Sequence, residues 1–277
     1  MKHWLATFAM FAACSAALRA DVTIVQTTTI DGGMAAMSGQ AMSPTTTTRI
    51  KGLKSRSDID SEMIKLSGIA DLETKQVIVL SPGQKTAQVL TPASVAGAVK
   101  DSAPGVTPPV VNWSINPTGK SQVIDGFKCD EYTFSTTLNM SEINPPGSTM
   151  PPEAKEMMKG ITINVNASMW VARDVPGAAD YSAFQKAASG SELAALISGG
   201  SGMPMPGVDR MLKAIGGLNG VAYLTEMTMT IQGTGQLADM MQQAGPMHIT
   251  SKVKSISTDS IADDAFKVPP GYTVVKQ

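Results

Sequence analysis

Two cysteines, two histidines and 19 methionines are the side chains of this 277-residue chain best suited to metal, redox or nucleophilic chemistry. His3 and Cys14 fall in the opening residues, which leaves Cys129 and His248 in the rest. A zinc site gathers several His or Cys ligands, and this sequence clusters none. There is no Gly-x-Ser-x-Gly elbow, and "SGGSG" (198–202) lacks the strand-then-helix flanks of one. No glycine-rich loop ends in Lys-Ser/Thr to cradle a phosphate. Asp71, Glu73, Asp174, Asp263 and Asp264 are scattered, and Asp263-Asp264 read as a solvated turn without the spaced oxygen ligands of a calcium loop. The expectation is a protein that is not an enzyme and uses no metal or cofactor.

Methionine remains. Met34, Met37 and Met42 share one segment, and Met203-Pro204-Met205 lie in another. Thioethers suit Cu(I), so copper binding through Met34, Met37, Met203 and Met205 is one alternative. The other is that unbranched, polarisable side chains line an adaptable apolar surface.

The opening "MKHWLATFAMFAACSAALRA" has a basic start and an apolar run, Trp4–Ala13, of signal-peptide length. Three fates fit it: cleavage after Ala20, cleavage after Ala17, or lipidation of Cys14 in the lipobox-like "FAAC". Residues 1–20 are expected to be the signal peptide and 21–277 a single domain. Cys129 is then without a partner in the chain. Free cysteine is among the most buried residue types, and Asp130 and Glu131 beside it disfavour the thiolate, so Cys129 is expected to be inert.

Removing residues 1–20 takes away Lys2 and Arg19 and leaves 20 basic against 23 acidic residues, a formal charge of about −3. That balance argues against nucleic acid as a partner. No second apolar segment is long enough for a transmembrane span in the mature chain.

Alternation is the strongest structural signal. In "ITINVNASMWVA" Ile161, Ile163, Val165, Ala167, Met169 and Val171 are apolar, with Thr162, Asn164, Asn166 and Ser168 between them. "VAYLTEMTMTIQG" repeats the pattern with Val221, Tyr223, Met227, Met229 and Ile231, interrupted at Thr225. "DVTIVQTTTI" and "HITSKVKSIS" are strands of the same kind. Residues 45–91 read as a meander, with Ser81-Pro82-Gly83-Gln84 its best turn. In "GFKCDEYTF" the phase changes: Phe127 and Cys129 share one face, Tyr132 and Phe134 the other. A bulge at Asp130-Glu131 is expected to bring both pairs to one side.

Helices are fewer. "DYSAFQKAA", with Asp180 as the expected N-cap, "SELAALIS", "GVDRMLKAIGGL", "GQLADMMQQ" and "SVAGAVKD" carry helical spacing or caps. Residues 31–44 and 141–160 read as irregular insertions, with one helical turn over 153–158. Strands first, helices late, then strands again predicts α+β: an antiparallel sheet of about nine to eleven strands with a helical cover over one face.

"PTGKSQVIDGFKCDEY", "MWVARDVPGAADYSAFQ" and "SISTDSIADDAFKVPPGYTVV", in that order, resemble an exported bacterial family known as domain of unknown function forty-four twelve. The residues that carry the resemblance are Gly126, Cys129 and Tyr132; Trp170, Val171, Asp174 and Pro176; and Phe266, Pro269, Gly271 and Tyr272. That family resembles the lipoprotein carriers LolA and LolB. The resemblance implies a curved antiparallel sheet, an incomplete barrel, with a few helices across its concave face and an apolar cavity beneath. It implies no catalytic residue.

The expected function is to bind a lipid, an acyl chain or another amphipathic ligand in the periplasm or outer envelope, or after secretion, anchored if Cys14 is lipidated. Met169, Val171, Tyr223, Met227, Met229, Leu212 and Ile215 are the expected lining. Trp170, on the polar side by alternation, is expected to dock near the helix at Asp180. A structural role among envelope proteins, with a filled interior, is the second alternative beside copper.

Overall fold

The structure, a computed structural model, describes residues 20–33, 43–62, 65–94, 114–142, 152–194 and 213–276. The alternating segments become twelve strands. Six form a first meander: β1 (Val22–Gly32), β2 (Thr45–Lys51), β3 (Lys54–Asp60), β4 (Lys65–Asp71), β5 (Gln76–Ser81) and β6 (Thr86–Leu90). Five form a second: β7 (Ser114–Ile124), β8 (Phe127–Asn139), β9 (Thr162–Ala172), β10 (Val221–Gln232) and β11 (Met247–Ser257). β12 is Thr273–Lys276.

One sheet contains them all, in the order β12-β6-β5-β4-β3-β2-β1-β11-β10-β9-β8-β7. The two meanders therefore join where β1 pairs with β11, and the sheet ends openly at β7 and β12. Every pairing is antiparallel except that of β12 with β6. Among the described residues there are twelve strands, against the expected nine to eleven. The added strand is a four-residue parallel edge, too short for alternation to announce.

Turn chemistry fixes the hairpins. The Gln84 N–H donates to the Ser81 carbonyl at 3.1 Å, as the Pro-Gly turn predicts. Asp125 and Gly126, with φ of 49° and 89°, form the two-residue link between β7 and β8, the conformation that Asp-Gly favours.

No bulge interrupts β8. Its register with β9 runs unbroken from Cys129↔Ala172 to Asn139↔Thr162. The irregularities lie in β7, between Pro117 and Ser121, in β10, between Ala222 and Leu224, and where β1 meets β11, at Val25–Gln26. Cys129 and Phe134 consequently stay on opposite faces of β8, against the expectation. Both are buried because the sheet is covered twice here: the adjacent residues Val171 and Ala172 are 2 % and 0 % exposed and belong to different clusters.

One cluster holds Cys129, Ala172, Val221 and Tyr223 together with Val22, Ile24 and Ile50. Helix α2 (Ala178–Ser189; α1 is Pro152–Met158) contributes Phe184 and Ala188 to it. Trp170 packs against this cluster, as expected. The Phe127 and Tyr223 rings meet at 5.6 Å although β9 lies between their strands. Two strand spacings in a flat sheet are about 9.6 Å, so the sheet bends here.

Asp180 does not cap α2. The helix starts after Gly177, whose φ is 71°, and Asp180 lies in the first turn, where its charge suits the helix dipole. A Cβ on Gly177 would sit 2.6 Å from Val22 Cγ2, so glycine allows α2 to approach β1 this closely.

The C-terminal segment straps the opposite face. Phe266, Val268 and Tyr272 pack on Ile69, Leu80 and Ala87. Asp21 accepts a hydrogen bond from the Ile261 N–H at 2.7 Å, and Lys51 donates to the Ile261 carbonyl at 2.7 Å. The two expected short helices form: α1, and α3 over Gln236–Gln243. They leave two methionines largely outside the core: Met157 is 63 % and Met240 55 % exposed.

Candidate functional site

The strand β9 sets the site. Its odd residues share a face with their partners on β10 and β8: Ala167 lies between Met227 and Phe134, Val165 between Met229 and Thr136, Ile163 between Ile231 and Leu138. At the α2 end this face is covered. Met169 and Val171 are buried, and Ile215 and Leu218 pack on them from a helical turn at 213–216 and the residues just after it. Toward the other end the cover thins. Leu138 and Val165 are buried, but Ile163, Met227 and Met229 beside them are only partly so.

Of the residues expected to line the site, Met169, Val171, Ile215 and Met227 pack in one cluster, and Met229 joins through Met227. Tyr223 does not. The irregularity at Ala222–Leu224 turns it into the other cluster, against Phe127. Leu212 lies outside the described residues, as do Met34, Met37, Met42, Met203 and Met205. Phe134 and Leu138, not among the expected lining, join this face, and their spacing of four on β8 is the sequence signal for it.

Arg173 ends the apolar row of β9. Its guanidinium pairs with Asp130, donates to the Tyr132 hydroxyl at 2.7 Å and donates to the Asn219 carbonyl at 3.2 Å. The Ser121 hydroxyl, donating to Asp130 at 2.7 Å, is the main cause that holds the Asp130 carboxyl below its usual range; Arg173 and Lys128 add to it. The signal for Arg173 was in the sequence, since 173 continues the odd-numbered row 161–171 with a cation.

Burial governs two of the groups with nucleophilic or acid–base capacity, Cys129 and Tyr223. Cys129 is fully buried and its thiol donates to the Phe127 carbonyl at 3.5 Å. Burial pushes its pKa up, Asp130 and Asp125 push the same way, and a backbone hydrogen bond at Ile124 only partly opposes them. Burial also raises Tyr223, helped by Asp125, which accepts its hydroxyl hydrogen bond at 3.3 Å. His248 is exposed, with Thr228 Oγ1 at 3.2 Å from Nδ1. Among the described residues, no three His, Cys, Asp or Glu side chains converge to hold a metal ion.

No family model matches the chain, and no curated protein matches it. Two solved structures are among those that align with it. An uncharacterized conserved protein from Thermus thermophilus is 6 % identical, with 94 % of this chain and 92 % of that one covered and a TM-score of 0.38. A beta-barrel-like protein of domain of unknown function DUF1849 from Brucella abortus is 8 % identical, with 87 % and 98 % covered and a TM-score of 0.18. Among the described residues no helix is long and apolar enough to cross a membrane.

Proposed function

We propose that this chain is a non-enzymatic exported protein that holds an amphipathic ligand, a lipid or acyl chain, on the apolar face of its sheet. One observation carries the reading. Met227 packs both against the covered cluster of Met169 and Val171 and against the half-covered group of Leu138 and Val165. A continuous apolar track therefore leads from beneath the helical cover to where that cover thins. Ligand sites are mostly apolar with a few polar groups at the rim, and methionine adapts to chains of varied shape.

The finer architecture we propose is LolA-like, an incomplete barrel whose helices cross the concave face. The bend at Phe127–Tyr223, with α2 packed beside it, and the open sheet ends support it; the track lies on the other face, beneath Ile215 and Leu218 rather than α2. The signal-like opening residues support export to the periplasm or beyond, with a lipid anchor as the variant in which Cys14 is modified. If the track is instead filled by the chain itself, the protein is an envelope component that binds other proteins.

A titration with N-phenyl-1-naphthylamine, which fluoresces in apolar sites, tests this. The wild type enhances the signal, and Met227→Asp weakens binding by about tenfold, because a carboxylate on the track disfavours an apolar ligand. Val123→Ser, which removes an apolar side chain 70 % exposed on the edge strand, leaves binding unchanged. No enhancement by the wild type, or equal losses in both variants, contradicts the proposal.

A further inference from the structure

Helix α2 leaves an open groove of about 420 Å³ beside the apolar face. Arg173, Asn219 and Gly220 line it opposite Ala179, Ser182, Ala183 and Lys186 of the helix. The lining carries two cations and no carboxylate.

Two neutral polar groups of the groove are already engaged. The Gly220 N–H donates to Ser182 Oγ at 2.8 Å, and the Ser182 hydroxyl donates to the Ala178 carbonyl at 2.7 Å. The cations are not saturated. Arg173 uses three of the five N–H groups of a guanidinium, on Asp130, Tyr132 and Asn219, so two remain. These three bonds fix the guanidinium in place. Lys186 is exposed and forms no ion pair among the described residues.

The groove also adjoins the track. Tyr132, which holds Arg173, and Leu218, which precedes Asn219, both pack against the cluster of Phe134, Ala167, Met169 and Val171. From Arg173, β9 runs eight residues to Val165, about 27 Å at about 3.4 Å per residue, a length suited to a long acyl chain.

The geometry points to a head-group site: an anionic oxygen group of the ligand, a carboxylate or a phosphate, sits between Arg173 and Lys186, and its apolar chain runs onto Met169 and Met227. This rests on the proposed function and adds the sign of the ligand's charge and its direction on the sheet. A planar guanidinium and a mobile ammonium together suit a carboxylate or phosphate.

The test compares cis-parinaric acid, a fluorescent fatty acid, with its methyl ester at neutral pH on the full mature chain. The acid binds about fivefold more tightly than the ester, the size expected of one exposed charge contact. Lys186→Glu abolishes the preference and Lys186→Arg restores it. Ala183→Trp, an exposed helical position that fills the groove, lowers acid and ester affinity alike, and circular dichroism confirms the fold of each variant. Equal binding of acid and ester, unaffected by Lys186→Glu, overturns the head-group site while leaving the apolar track intact. Binding of neither overturns both. Inorganic phosphate alone does not displace the acid at millimolar concentration; displacement shows a free-anion site and overturns the inference.

Discussion

The Asp125 carboxylate and the Lys252 ammonium meet at 3.0 Å, although β8 and β11 are separated in the sheet by β9 and β10. In a flat sheet three strand spacings are about 14 Å, more than these side chains span with their backbones level. The β7–β8 hairpin must therefore curl over the sheet's inner face, and Tyr223, donating to the same carboxylate, stands where it lands. Helix α2 packs in the same cluster as Phe127 and Tyr223, on the side toward which the hairpin curls. Both charges are about half exposed, at 48 % and 46 %, so the pair registers the bend more than it causes it. A double-mutant cycle with Asp125→Asn and Lys252→Met, followed by urea unfolding, is expected to give a coupling below about 1 kcal/mol that shrinks with added salt. A coupling of several kcal/mol, indifferent to salt, would contradict this.

Cys129 has no exposed surface, and burial disfavours its thiolate. A thiol reagent such as dithionitrobenzoate is expected to leave the native protein unlabelled and to titrate Cys129 once guanidinium unfolds it. Rapid labelling under native conditions would show that the Phe127 end of β8 opens.

Acid should weaken the strapped face. Asp58 feels burial first, which alone would raise its pKa. Hydrogen bonds from Ser67 at 2.6 Å and Arg56 at 2.8 Å, with the charges of Arg56 and Arg49, outweigh it and hold the carboxyl below its ordinary value. A depressed carboxylate contributes stability that is fully present above its unfolded pKa of about 3.9 and is lost as pH falls through the lower folded value. Asp58→Asn should therefore flatten the acid limb of the curve of melting temperature against pH. An unchanged acid limb would contradict the network.

Gly220 has a φ of 134°, and a Cβ there would fall 2.6 Å from the Ala172 carbonyl oxygen, a backbone atom that cannot swing aside. Gly220→Ala is expected to cost about 2 kcal/mol or more, read from the urea midpoint. A variant as stable as the wild type would mean that the chain between the helical turn and β10 relaxes freely.

The sheet was legible because period-two alternation survives in β9, β10 and most of the meander, where one face is apolar and the other is threonine, serine or asparagine. It failed where alternation ceases to mean inside and outside. At Cys129 both faces of β8 are covered, so a phase change that resembled a bulge was two clusters on two sides. Tyr223 was misassigned for the converse reason: a real irregularity lay beside it, at Ala222–Leu224, with no glycine or proline to announce it. Several residues behind the family resemblance serve packing, turns and anchoring. Gly126 makes the tight turn, Phe266 and Tyr272 pin the strap, and Tyr132 receives Arg173. Such residues specify an architecture and leave the ligand unspecified. The groove was invisible because Arg173, Ser182, Lys186 and Gly220 converge from three separate segments.

Native mass spectrometry of the mature protein, released gently from bacterial envelopes that express it, tests the central claim most directly. The account predicts a mass above that of the polypeptide, with the excess released on denaturation and recovered as an acyl-chain compound. A folded protein that flies at its bare polypeptide mass would contradict an apolar face that carries a lipid.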